Sequence, residues 1–165
     1  MEVHTVNFKI RSLVEHDIPF LWDMLYESAF VPEGEKPFPR TILNEPSVSK
    51  YVEGWGKKGG DIGLIAENEQ QAIGAIWLRL FDETQKGCGD AETPEIGIAI
   101  LKEYRGKGIG HALMCALEAE AIKFGYQKLC LNVDPRNPAC RLYKQLGYVQ
   151  VGWHDTYQIM EKKLV

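Results

Sequence analysis

Eight residues, Tyr104-Arg105-Gly106-Lys107-Gly108-Ile109-Gly110-His111, limit most sharply what this chain can build. They stand between an apolar run, Glu95 to Leu101, and an amphipathic stretch, Ile109 to Gly125, so they read as a turn from a buried strand into a long helix. Glycine removes the Cβ that would keep a bulky anion away from backbone N–H groups, and a helix N-terminus adds free amides and a positive dipole end. Arg105 and Lys107 place cations beside those amides. The stretch therefore reads as a pyrophosphate cradle. A P-loop needs GxxxxGK[ST], which is missing, and the dinucleotide fingerprint GxGxxG fails because His111 stands where its third glycine belongs. The competing reading is a tight connection that binds nothing, but such a turn seldom needs three glycines and two cations.

Periodicity fills in the rest. Phe8 to Leu13 alternates like a half-buried strand, and Glu15 to Ala29 carries Ile18, Leu21, Trp22 and Leu25 at helical spacing. Five prolines and glycines between Val31 and Pro46 predict an irregular loop, followed by a short helix over Val48 to Gly56. Ile62 to Glu67 and Ala72 to Phe81, separated by the polar Asn68 to Gln71, predict an antiparallel hairpin. A loop from Asp82 to Pro94 precedes the Glu95 strand. Lys128 to Val133 is the next strand, Asn137 to Leu146 a helix ended by Gly147, and Tyr148 to Trp153 and Tyr157 to Leu164 the final strands. The expected fold is α/β: a mixed, mainly antiparallel sheet with one parallel βαβ unit formed by the Glu95 strand, its helix and the Lys128 strand.

With 165 residues, 45% of them hydrophobic, the chain has material for one sizeable core, so a single domain over 1–165 is the expectation. A formal charge of −4 argues against nucleic acid as a partner, which calls for clustered excess Lys and Arg. Met1 to Ile10 mixes Glu2, His4, Asn7 and Lys9 among apolar residues, which excludes a signal-peptide apolar core there, and no run approaches a membrane span. Cys88, Cys115, Cys130 and Cys140 are too far apart for a zinc knuckle or CxxC pair and read as buried thiols of a cytoplasmic protein. His4, His16, His111 and His154 are scattered, so no metal is expected.

Arg105, Gly108 and Gly110 match, position for position, the [QR]xxGx[GA] hallmark of the GNAT superfamily of N-acetyltransferases, and the order of elements is similar over most of the chain. The resemblance implies a direct acetyl transfer from acetyl-CoA to a primary amine of a small molecule or peptide. It implicates the loop amides of Arg105, Gly106, Lys107, Gly108, Ile109 and Gly110 in holding the coenzyme pyrophosphate. Ile98, Ala99 and Ile100 of the preceding strand would pair by main-chain hydrogen bonds with the pantetheine arm, an addition of the strand type; packing the sheet is the alternative role of their side chains. A non-catalytic acyl-CoA-binding module is the alternative function. Dimers through the last strands are a further expectation from the same resemblance.

A second segment, Asn137-Pro138-Ala139-Cys140-Arg141-Leu142-Tyr143-Lys144-Gln145-Leu146-Gly147-Tyr148, resembles the family's NxxAxxLYxxxGF region. Tyr143 matches the general acid that protonates the departing thiolate, a task suited to a phenol that keeps its proton at neutral pH; packing a helix on the sheet is the competing role. Asn137, one residue closer to Tyr143 than in the common pattern, is the candidate contact to the coenzyme arm, and Arg136 holds the strictly aligned place. The ammonium must lose a proton before attack, so a carboxylate base is needed. Glu95, which opens the strand leading to the glycine loop, where the resemblance implies a catalytic glutamate, is the candidate, Glu92 its substitute, and an exposed strand-edge glutamate the competing reading. A backbone N–H near Ile98 is expected to stabilise the oxyanion.

The acceptor side is expected from the Phe30 to Pro46 loop, the Asp82 to Pro94 loop and the final strands. Their acids Glu33, Glu35, Asp82, Glu83, Asp90 and Glu92 either attract a cationic amine or are ordinary solvated loop residues. Phe30, Phe38, Trp77, Phe81 and Trp153 either shape the pocket or belong to the core.

Overall fold

The computed structural model describes residues 6–82 and 84–164. Met1 to Thr5, with His4, and the loop acid Glu83 lie outside the described residues. Seven strands, β1 (Lys9–Ser12), β2 (Ile62–Asn68), β3 (Gln71–Arg79), β4 (Glu95–Ile100), β5 (Lys128–Val133), β6 (Val149–His154) and β7 (Tyr157–Lys163), form one sheet in the order β1-β2-β3-β4-β5-β7-β6. Every neighbouring pair is antiparallel except β4–β5. The helices are α1 (Ile18–Ser28), α2 (Pro46–Ser49), α3 (Ile109–Phe124) and α4 (Ala139–Gln145), and β4-α3-β5 is the parallel unit that the sequence predicts.

Alternation along β4 divides the core. Ile96, Ile98 and Ile100 point to one face, where they meet Leu113, Met114 and Leu117 of α3 and Tyr143 of α4. Glu95, Gly97 and Ala99 therefore point to the other, where Ala99 joins Trp77 and the α1 residues Leu21, Met24 and Leu25. The sheet thus has α3 and α4 on one side and α1 on the other. The edge strand β6 leaves Val149, Val151 and Trp153 exposed.

Two boundaries differ from expectation for physical reasons. The first helix opens as a 3-10 turn, Glu15–Asp17, because the buried Asp17 carboxylate accepts from the Arg11 guanidinium at 2.7 and 2.8 Å and from the Val14 N–H at 2.9 Å. The helix expected over Val48 to Gly56 is a single turn, α2, followed by turns. Arg79 reaches across from β3 and donates to the carbonyls of Lys50 at 2.9 Å and Glu53 at 2.5 Å. An α-helix through this segment would have given the Lys50 carbonyl to the Gly54 amide, so the guanidinium replaces the helical partner.

Candidate active site

The site begins where β4 and β5 part. The two strands share one paired position, Glu95 with Cys130, closed by the Cys130 N–H donating to the Pro94 carbonyl at 3.1 Å. On the other side of β4, the Leu101 amide donates to the Ile73 carbonyl at 2.8 Å, which fixes the alternation of the antiparallel ladder. Ala99 accordingly turns its main-chain groups to β3, while Ile98 and Ile100 turn theirs into the gap facing β5. The Ile100 carbonyl is taken by Arg105 Nε at 2.9 Å.

A cleft of about 810 Å³ occupies this gap and extends over the α1 face of the sheet. It brings together Glu95, Ile98, Asn137 and Tyr143 of the residues singled out in the sequence. Segments from the Phe38 region, the Thr84 to Cys88 loop and the His154 to Ile159 turn complete the wall. Ala99, Ile100 and the Arg105 to Gly110 loop lie outside that lining.

Glu95 is buried, with 4% of its surface exposed. Its Oε2 accepts from the Tyr51 hydroxyl at 2.5 Å and, at a longer 3.5 Å, from Asn132 Nδ2; its Oε1 accepts from the Cys88 N–H at 2.9 Å. Burial pushes its carboxyl above the usual carboxylate range, and the Tyr51 hydrogen bond, Lys50 and the Cys88 amide offset part of that rise. The exposed-edge reading of Glu95 is thereby excluded. Glu92 is exposed and outside the cleft wall.

Tyr143 enters from α4, with its ring edge-on to Tyr148 at 6.3 Å between centroids. Burial holds its phenol proton more tightly than in water. Asn137 accepts at its Oδ1 from the Ala139 N–H at 2.9 Å, which closes a turn onto the first residue of α4.

In the glycine loop, Gly106 and Gly108 adopt φ of +74° and +86°, and a Cβ at either would meet nothing within 4 Å. Their glycines thus serve the left-handed backbone and the open approach above it. No backbone carbonyl accepts from the amides of Gly106, Lys107, Gly108, Ile109 or Gly110 among the described residues, which leaves a row of donors at the start of α3. His111 is exposed, with Nδ1 3.8 Å from Cys115 Sγ.

The cleft floor is the Trp77 indole lying on Gly97, its cross-strand partner. A Cβ at Gly97 would stand 2.6 Å from Trp77 Cζ2 and 2.7 Å from Cε2. Gly97→Ala is therefore expected to lift the ring and cost about 1–3 kcal/mol, to be read from urea unfolding. An unchanged midpoint would show that the ring has room to move.

One sequence expectation needs correction. The cysteines are not four buried thiols: Cys88 and Cys130 are joined as a disulfide, Cys115 is exposed, and Cys140 alone is a buried thiol. Cys88 sits in the loop over the β4–β5 pairing point, a proximity that depends on the tertiary path and not on sequence spacing. Of the two readings left open for the loop acids, the ordinary loop role fits, since none of the described ones lines the cleft. Asp82 binds Thr84 and the Gln85 amide, Asp90 binds Thr93 and Lys128, and Glu35 faces Arg136 at 3.8 Å. Of the aromatics, Phe38 and Trp77 line the cleft, and Trp153 is exposed on β6.

The acetyltransferase (GNAT) family model matches residues 19–148. The chain belongs to that family. Over 97 residues it is 31% identical to an uncharacterized N-acetyltransferase, YycN, of Bacillus subtilis; the match covers 59% of this chain and 57% of the relative, little more than half its length. The fold is similar to the GNAT domain of S. lividans PAT, with a TM-score of 0.70 at 18% identity over 94% of this chain and 90% of the other. It is also similar to yncA of Salmonella typhimurium, whose structure holds its cofactor acetyl-CoA, with a TM-score of 0.69 at 18% identity over 96% and 95%.

Within this GNAT-family chain, sequence reading missed Tyr51, Asn132, Lys50 and Arg79. A tyrosine and a lysine in an irregular segment carry no motif. A period-two reading of β3 puts Arg79 in line with the inward-facing Trp77 and Ala75, and a charged residue at such a position was the available signal for a buried partner. No group of three or more His, Cys, Asp or Glu side chains placed to hold a metal occurs among the described residues, and none of their helices is long and apolar enough to cross a membrane.

Proposed function

We propose that this chain transfers an acetyl group from acetyl-CoA directly to a primary amine, with Glu95 as general base and Tyr143 as general acid. The observation that carries the reading is the buried Glu95 carboxyl at the point where β4 and β5 part, in one cleft with Tyr143.

The residues present fit the coenzyme. Gly106 and Gly108 leave the space above the amides of 106–110 open, and that row of donors suits a pyrophosphate. The main-chain groups of Ile98 and Ile100 face the gap, where a pantetheine arm would add as a strand; Ala99, turned to β3, contributes only packing. The Ile98 N–H is the donor for the oxyanion. Asn137 borders the same arm with its amide nitrogen, its oxygen being committed to α4.

Glu95 takes a proton from the ammonium, and the freed nitrogen lone pair attacks the thioester carbon. As the C–S bond breaks, the nitrogen gives up its second proton to solvent and Tyr143 passes its own proton to the sulfur. Burial makes the phenol a weaker acid, but it raises the basicity of a thiolate in the same dry surroundings as well, so the transfer stays nearly balanced.

Tyr143→Phe is expected to lower kcat about 100-fold, near the lower end of what a positioned acid contributes, while acetyl-CoA binding by calorimetry stays within about threefold. Thiol release from acetyl-CoA with a panel of amines reads the first quantity. Full activity in the variant would remove Tyr143 from the chemistry; failure of the wild-type protein to bind acetyl-CoA would remove the whole reading.

A further inference from the structure

We infer that the acceptor is a free α-amino acid with an apolar side chain, its carboxylate held by Lys50. This deepens the acetyltransferase reading above and rests on it.

The charge of the cleft wall decides against polycations. Among the described lining residues Glu95 is the one carboxylate, whereas Lys50 and Lys86 are both present, with His154 at the exposed end. Polyamines and aminoglycosides carry several ammonium groups that need several carboxylates, and here the second and later ones would meet lysine. The loop acids that would have served them are turned to their own turns or to Arg136 and Lys128.

Lys50 is unlike the surface lysines. It is half-buried, its ammonium lies 5.2 Å from the Tyr51 ring centroid and 4.8 Å from that of Phe81, and it donates to the Lys86 carbonyl. It has no carboxylate partner at ion-pair distance among the described residues, so donors of this ammonium remain for a ligand. Its neighbour Tyr51 binds Glu95, and Lys50, Tyr51 and Glu95 all line the same cleft. The base and the unpaired cation therefore line one cleft, which suits a ligand that carries an amine and a carboxylate together.

Two orphaned polar atoms complete the pattern. Trp77, 1% exposed, has its indole N–H buried without a partner, and it lies on the same sheet face as Glu95, diagonally across the β3–β4 pair. That unpaired donor, in a residue that lines the cleft, would suit a carboxylate once a ligand is seated. Asn132 Oδ1, also buried without a partner, lies on the residue whose Nδ2 approaches Glu95, and it is an acceptor for the ammonium. Phe38, Ile42, Pro46 and Val48 supply the apolar wall for the side chain.

The test compares leucine, methionine and phenylalanine with their carboxamides and with spermidine, by thiol release from acetyl-CoA, in the wild-type protein and in Lys50→Met, which keeps an unbranched side chain without the charge. For the wild type, kcat/KM for the free acids is expected to exceed that for the amides by at least about tenfold, the value of one charge-assisted hydrogen bond, and spermidine to be slower still. In Lys50→Met the acid-to-amide ratio is expected to fall to within about threefold, through KM. Amides used as well as acids, a preference for spermidine, or a ratio untouched by Lys50→Met would each overturn the inference and leave the acetyltransferase reading standing. Acetyl-CoA binding without release to any amine in the panel would overturn this inference alone, whereas failure to bind acetyl-CoA would overturn both.

Discussion

Glu95→Gln is expected to leave the protein folded and lower kcat about 1,000-fold, within the range of a positioned general base. Glutamine keeps the shape and an oxygen for the Cys88 N–H at the Oε1 position, while the amide nitrogen can approach Asn132 Oδ1, which has no partner in the wild type. What it loses is the ability to take a proton. The pH profile separates this from a packing role: because burial raises the Glu95 pKa, the acid limb of kcat/KM should lie above the ordinary carboxylate range in the wild type and vanish in Glu95→Gln. If Glu92→Gln, and not Glu95→Gln, removed that limb, the base would have been misassigned.

Stability should move the other way. A carboxyl whose folded pKa is raised above its unfolded value binds protons more tightly in the fold. Its stabilisation is therefore fully present below the unfolded pKa and is lost as pH rises through the higher folded pKa. Above that point the wild type holds an ionised carboxylate in a buried place, and glutamine does not. Thermal unfolding across pH should accordingly show the Tm of Glu95→Gln gaining on the wild type as pH rises through the folded Glu95 pKa, then levelling. A difference that does not vary with pH would mean that Glu95 titrates alike in both states. Activity and stability changing in opposite directions is the mark of a group kept for chemistry.

The glycine loop and β4 were legible because their signals are local. Three glycines at fixed spacing, a continuous apolar run and a helix stopped by Gly125 each follow from properties of neighbouring residues, and the fold places them as expected. Glu95 was legible as a candidate through its position at the strand start, but its burial was not, since that comes from Tyr51 and Cys88 arriving from segments 44 and 7 residues away. Lys50, Asn132 and the Cys88–Cys130 link share that origin: each belongs to the site through tertiary proximity, and none of their local patterns differs from an ordinary loop or strand. Ala99 shows the same limit at the scale of one peptide. It stands between two residues whose main-chain groups face the cleft, and only the register with β3 tells it apart from them.

The largest stability effect is expected away from the chemistry, at Asp61→Ala. Asp61 receives Arg79 Nε at 3.0 Å and Nη2 at 2.8 Å, and both side chains are almost wholly buried, at 2% and 1% exposure. Removing the carboxylate leaves a guanidinium in the core with no counter-charge, which costs about 3–5 kcal/mol, readable from urea unfolding. A loss below about 1 kcal/mol would mean that water reaches Arg79 when Asp61 is gone. The pair does more than hold β3 to the Asp61 turn, because the same guanidinium holds the Lys50 and Glu53 carbonyls and so fixes the segment that carries Lys50 and Tyr51 over the cleft. The double variant Asp61→Leu Arg79→Met separates these roles. Apolar replacement of both partners should recover much of the lost stability, since a buried ion pair is often no better than packed hydrocarbon. It should not recover turnover, because the two carbonyls lose their donor and Tyr51 loses its fixed approach to Glu95. Recovery of both would reduce Arg79 to a packing residue; recovery of stability alone would place the Arg79–Asp61 pair among the groups that position the base.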